Sequence, residues 1–112
     1  MWAEYDNMAI ESENNNYTLH VAGYHGNAGD GFNDDHIYGS SNGMQFSTPD
    51  FDNDLHPTRN CAEMYQSGWW HSSRCHATQL NGRYVRWYSP ASAATGSTYV
   101  SATRMMLQCG GN

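Results

Sequence analysis

Residues 50–76 crowd three carboxylates at every second position (Asp50, Asp52, Asp54), two cysteines (Cys61, Cys75), the Trp69-Trp70 pair and a Cys75-His76 step into one short segment. So dense a mixture does not suit a plain core element. It implies a loop held by covalent or ionic constraints that the rest of the chain presents. The 112-residue chain is long enough for one domain with a modest core, and short enough that a staple or a metal ion helps it.

Only 38% of the residues are hydrophobic, and 4 Trp and 8 Tyr carry much of that share. A few large rings, not a broad aliphatic core, are therefore expected inside. The net charge of -6 with only 5 basic residues excludes nucleic acid as a partner and favours cations. No apolar run is long enough for a bilayer span and no secretory leader starts at Met1, so the sequence implies either a leader upstream or a piece of a longer chain.

Carboxylates at Asp50, Asp52 and Asp54 let a curled loop aim several oxygens at one centre, as calcium requires. An EF-hand register starting at Asp50 fails, because Leu55 stands where the loop glycine belongs and Cys61 where the bidentate glutamate belongs. The alternative is a solvated acidic turn. Three like charges this close need a cation or hydrogen bonds to offset their repulsion.

Three cysteines leave one over in any single-bridge scheme. Cys61 and Cys75 close a short loop worth roughly 3 kcal/mol by chain entropy, while Cys109 in its glycine-rich tail is left for another chain or a segment outside this one. Zinc is the competing use of these thiols, although no Cys-x-x-Cys or His-x-x-x-His pair is present.

Alternation predicts strands over 4–11 and 17–24, joined by the polar turn 12–16 as an antiparallel hairpin. Asn16-Tyr17-Thr18 is a glycosylation sequon. The glycines of 23–31 predict tight, partly left-handed turns; without Gly-Lys-Ser/Thr or a following helix pattern they make no phosphate loop. Ile37 and Tyr38 are expected to anchor the loop after them. Alternation returns at 43–48, with Met44 and Phe46 inward, and predicts a strand there; 99–107 reads as a strand or a short helix, the strand preferred because Tyr, Val and Thr lead it. A single helical turn is predicted over 61–65, capped by Asn60, and a tight turn at Asn81-Gly82. At least one of Trp69 and Trp70 belongs to the core.

Taken in order, Gly43-Met44-Gln45-Phe46-Ser47-Thr48, Asp52-Asn53-Asp54, Asn60-Cys61-Ala62, Gly68-Trp69-Trp70, Cys75-His76 and Leu80-Asn81-Gly82-Arg83-Tyr84 resemble the C-terminal part of a fibrinogen-related domain. That family includes fibrinogen chains, ficolins, tachylectins, tenascins and angiopoietins. Upstream, Tyr17-Thr18-Leu19 and Gly23-Tyr24-His25-Gly26-Asn27-Ala28-Gly29-Asp30 match its central strand and turn, and Thr103-Arg104-Met105-Met106 its closing strand. The resemblance implies an α+β fold, a small twisted antiparallel sheet with a loop-rich subdomain for calcium and ligand. It also implies that residues 1–112 are a partial domain lacking the family's N-terminal subdomain.

For the site, the resemblance implies Ca2+ held by the carboxylates of Asp52 and Asp54 and by two backbone carbonyls. Counted from the aspartates these belong to His56 and Thr58; counted from Cys61, to Pro57 and Arg59; the first count is preferred. It further implies a Cys61–Cys75 disulfide and a cis peptide at Arg74-Cys75 that aims the amides of Cys75 and His76 into a pocket. In lectin-type members such amides take the acetyl oxygen of N-acetylated sugars, with Tyr65 and His76 in the pocket wall, so the resemblance implies Tyr65, Arg74, Cys75 and His76 as ligand-binding residues. The stretch after Tyr84, which normally adds pocket residues, is shortened here, leaving Trp87 or Tyr88 as substitutes.

The function so implied is a secreted, calcium-stabilised, innate-immune type of lectin for acetylated glycans. The alternative is a protein-interaction or matrix module that uses the same pocket on a receptor or peptide. Nucleic acid and membrane are not expected partners, and Cys109 or missing regions offer a route to oligomers. Asp50, Glu63, His71 and His76 could do acid-base work, yet no Gly-x-Ser-x-Gly or His-Glu-x-x-His motif accompanies them, so no enzyme is expected.

Overall fold

A computed structural model describes residues 1–33, 39–82, 85–87 and 101–109, and the backbone of 98–99. The anchors Ile37 and Tyr38, and Tyr84 and Tyr88, lie outside the described residues. Strand β1 (Ala3–Ile10) pairs antiparallel with β2 (Leu19–Gly26) in a register that sets Tyr5 opposite Tyr24 and Ile10 opposite Leu19. The turn between them is a 3-10 turn at Glu13–Asn15, closed by Asn16 and Tyr17 in left-handed conformations (φ 50° and 56°). The hairpin is thus as the sequence predicts.

Strand alternation turns Leu19 and Val21 of β2 and Ala3 and Tyr5 of β1 toward the core. Most of the rest of that core is aromatic. Phe32 stacks on Trp69 at 5.9 Å and meets Trp87 edge-on at 5.7 Å, while Trp69 meets Trp70 at 5.1 Å and Trp70 meets Phe46 at 5.2 Å. Both indoles of the Trp69-Trp70 pair are buried. Buried indole N–H groups need acceptors, and two of them find carbonyls: Trp70 donates to Tyr17, and Trp87 to Ala28 and Gly29. These bonds tie the hairpin and the glycine-rich loop to the segment that carries the cysteines.

Gly31 marks one close approach between them. A Cβ there would lie 2.7 Å from Trp87 Cε2 and against the Thr78 hydroxyl as well. Gly31→Ala is therefore expected to overpack the core and cost about 1–3 kcal/mol; an unchanged urea midpoint would refute this packing argument.

Helix α1 (Cys61–Tyr65) is a single turn, with the Asn60 side chain accepting from the Glu63 amide at 3.1 Å. Strand β3 (Arg86–Trp87) pairs antiparallel with β4 (Thr98–Tyr99). Two predicted strands need correction. Residues 43–48 do pack Met44 and Phe46 against the core, and Gly43, Met44 and Phe46 bond through their backbone to Leu19 and Asn16, but they form isolated bridges, Ser47 with Trp69 and Thr48 with Phe51, in place of a strand. Of the predicted strand at 99–107, Tyr99 lies in β4; residues 101–109 have no strand neighbour among the described residues and expose Met105, Met106 and Leu107. Alternation recorded the inward side chains correctly but not whether a partner edge exists. Among the described residues no helix is long and apolar enough to cross a membrane.

Candidate functional site

Cys61, the first residue of α1, is disulfide-bonded to Cys75, with 5.3 Å between their Cα atoms. Both sulfurs are committed to that bond, which removes them as zinc ligands; Cys109 is exposed and free. Both bridged cysteines are buried. The bridge joins α1 to the turn at 72–75 and sets Tyr65 against His76, ring centroids 4.6 Å apart and nearly perpendicular.

Around this junction lies a cavity of about 330 Å³. All four ligand-binding residues predicted from the sequence, Tyr65, Arg74, Cys75 and His76, line it. Sequence reasoning missed Arg59, Met64 and Arg86 in the same wall, and it gave His56 only a metal role although its side chain lines the cavity too. A signal for one of these was present: Arg59 lies two residues before Cys61 and Arg74 one before Cys75, so any bridge between the cysteines brings both arginines to one place. Arg86 arrives by strand alternation, since its neighbour Trp87 points into the core.

The turn differs from expectation in one respect. No cis peptide occurs among the described residues, so Arg74-Cys75 is trans, and Cys75 instead turns the chain with φ 71°. The Cys75 amide donates to the Ser72 carbonyl at 3.1 Å, and the Ser72 amide donates to the Cys75 carbonyl at 2.6 Å. The His76 amide donates to the Arg74 carbonyl at 3.0 Å. These bonds close the turn on itself, so the two amides serve the turn and polar contacts in the cavity fall to side chains.

His76 is buried, with its Nδ1 3.2 Å from Nδ1 of the equally buried His71. One ring must donate and the other accept. Burial first, then the neighbouring His71 and the Arg86 guanidinium, push the His76 imidazole down to about 3. Burial likewise lowers His71, against the opposing pull of the Ser67 carbonyl that faces its Nε2 at 3.2 Å. Both rings are uncharged near neutral pH.

The predicted metal loop leads directly into α1. Asp54 accepts from the His56 amide through one carboxylate oxygen at 2.8 Å and from the Cys61 amide through the other at 2.9 Å. Asp52 accepts from the Asp54 amide at 3.2 Å. Partial desolvation and then the adjoining Asp54 carboxyl, within hydrogen-bonding reach, hold the Asp52 carboxyl above its usual range. The next turn forms around the His56 ring, whose Nδ1 accepts from the Arg59 amide at 3.1 Å and the Thr58 amide at 3.3 Å. Among the described residues, no backbone amide donates to the carbonyls of residues 56–59. Two neighbouring carboxylates and the carbonyls of the turn that follows them in sequence are oxygen donors, the kind a hard divalent cation takes. Asp50 does not join it; its carboxylate takes the Thr48 hydroxyl at 2.7 Å.

Residues 1–103 match the family described as fibrinogen beta and gamma chains, C-terminal globular domain. The chain belongs to this family. It is 44% identical over 84 residues to techylectin-5A of Tachypleus tridentatus, covering 75% of this chain and 26% of that protein. To the fibrinogen gamma chain of Xenopus laevis it is 43% identical over 103 residues, covering 84% and 23%. Among solved structures, the fibrinogen-like globe domain of human ANGPTL2 superposes with a TM-score of 0.62 at 41% identity, over 79% of this chain and 36% of that one. Lamprey fibrin D-dimer, complexed with the peptide ligand Gly-His-Arg-Pro-amide, superposes with a TM-score of 0.65 at 38% identity, over 73% and 28%. The chain thus spans a minor part of each relative, and its fold is that of the fibrinogen C-terminal domain: a small antiparallel sheet, little helix and long loops. Members of this family are recognition modules.

Proposed function

We propose that this domain is an extracellular, calcium-stabilised lectin that binds acetylated glycans. The observation that carries the reading is the convergence of Tyr65, Arg74, Cys75 and His76 on one cavity of about 330 Å³, within the size range of small-ligand sites. The exposed side chains of Met64 and Tyr65 supply an apolar wall for an acetyl methyl group, and His76 stands beside them as a neutral polar group. Techylectin-5A, a lectin by name, matches most of this chain. The disulfide suits an oxidising, extracellular setting.

Calcium has a structural role in this reading. Asp52 and Asp54 would hold it together with carbonyls of the 56–59 turn, His56 and Thr58 first among them. The bound ion would offset the repulsion between the two carboxylates and fix the loop that leads into Cys61. Asp54 already orients that loop through the Cys61 amide.

The test is retention on N-acetylglucosamine resin. Binding is expected in calcium, with loss of binding and a lower melting temperature in EDTA. His76→Ala is expected to weaken binding while the domain stays folded. Full retention and an unchanged melting temperature in EDTA would refute the calcium role; no retention in calcium would refute the lectin reading. The second reading, a protein-binding module, draws on the peptide complex of the lamprey fibrin fragment. Silence on a glycan array together with specific capture of a protein would favour it.

A further inference from the structure

We propose that Asn16 carries an N-linked oligosaccharide, borne on the turn of the β1–β2 hairpin and set apart from the ligand cavity. This rests on the extracellular setting proposed above, because the sugar is transferred in the secretory lumen, and it adds a covalent modification to that setting.

Within residues 1–112, Asn16 is the one asparagine with Ser or Thr two positions on and no proline between, in Asn16-Tyr17-Thr18. So short a motif says nothing of how it is presented; the fold does. The turn is fastened to the core through its backbone. The Asn16 carbonyl accepts from the Phe46 amide at 2.9 Å, and the Tyr17 carbonyl accepts from the Trp70 indole at 2.9 Å. With the carbonyls engaged there, the side chains are left to the surface: Tyr17 is 46% exposed, and the Asn16 carboxamide makes an exposed bond to Gln45. Asn16 also closes the 3-10 turn in a left-handed conformation, φ 50°. Asparagine tolerates that position better than most residues, so the backbone's demand and the modification's demand fall on the same side chain.

The carboxamide nitrogen carries two hydrogens. One is donated to Gln45 Oε1 at 3.1 Å, and no other acceptor meets this nitrogen among the described residues. Asn42 shows the contrary case, its part-buried carboxamide donating to Asn33 and accepting from the Val21 amide. In the transfer, Nδ2 of Asn16 forms a bond to the anomeric carbon of a lipid diphosphate-linked oligosaccharide. The bond from that carbon to the diphosphate oxygen breaks, the lipid diphosphate leaves with the electron pair, and one amide proton is released. The second hydrogen stays on Nδ2, so the bond to Gln45 survives the modification. The Thr18 hydroxyl donates to the Asn15 carbonyl at 2.7 Å, a bond that serine can also make. No residue of 11–18 is among those lining the cavity beside Tyr65 and His76, so the sugar and a ligand occupy separate places. A bulky, hydrated group fits an exposed turn of this kind without displacing any core contact.

The test secretes the full chain from insect cells behind a supplied leader and maps the product by mass spectrometry. Most molecules are expected to carry an oligosaccharide on Asn16. Peptide N-glycosidase F should remove it from the native protein without denaturant, leaving a carboxylate at that position. Asn16→Gln and Thr18→Ala should each abolish the added mass. Thr18→Ser keeps both the hydroxyl and its bond to Asn15, and should retain the sugar, which separates loss of the acceptor motif from damage to the turn. Secretion with the Cys61–Cys75 bridge formed and Asn16 bare would overturn the proposal and leave the extracellular reading standing. Retention in the cell with both cysteines reduced would overturn the two together. A sugar that persists in Asn16→Gln, or one that the glycosidase releases only after the protein is unfolded, would also overturn the proposal, the first by placing it on another residue and the second by denying the open turn.

Discussion

Replacing Cys61 and Cys75 together by alanine is expected to lower stability by roughly 3 kcal/mol, the chain-entropy value for a loop of this size. The effect should exceed that of a surface change because the bridge does more than close a loop. It anchors the single turn of α1, which the Asn60 cap and the Asp54 bond to the Cys61 amide also hold. It also joins the two walls of the cavity, Tyr65 on α1 and His76 beyond the 72–75 turn. Urea unfolding of the variant, and of the unaltered protein with reductant, should give matching losses. A midpoint that does not move in either case would refute the structural role of the bridge.

Lowering the pH from 7.5 to 5 is expected to destabilise the domain through the histidine pair. His76 and His71 are neutral in the fold, with affinities for protons below those of the unfolded chain. Unfolding therefore takes up protons. Their contribution to stability is complete above about 6.5, the unfolded value, and declines as the pH falls toward the folded value of about 3 for His76. At pH 5, His76 alone accounts for a loss of roughly 2 kcal/mol, and His71 adds to it in the same direction. The exposed His25–Asp6 pair acts oppositely, since Asp6 raises His25, but solvent screens a pair on the surface. Melting temperatures that stay level from pH 7.5 to 5 would show that the two rings are not held neutral by burial.

The readable parts of the fold were local ones. Alternation around a polar turn defined the hairpin, because side-chain period and turn chemistry both act within a few residues. Asn60 ahead of Cys61-Ala62-Glu63 specified a capped helical turn for the same reason. At 43–48 the alternation was real, since Met44 and Phe46 reach the core, but strand formation also needs a partner edge, and that lies elsewhere in the chain. The internal bonding of the Cys75 and His76 amides was equally out of reach, because it accompanies a positive φ at Cys75 that the residue type does not favour.

The sequence by itself determined the family, the bridged loop, the aromatic core and the acidic segment ahead of α1. Each is written in residue types at short spacing. Only the tertiary structure decided what the cavity offers a ligand. Arg86, far along the chain from Arg59, reaches the same wall through β3, and an acidic protein acquires one surface lined by arginines. Net charge sums over the whole chain, whereas a ligand responds to the few charges within a Debye length of it, and folding selects which charges those are.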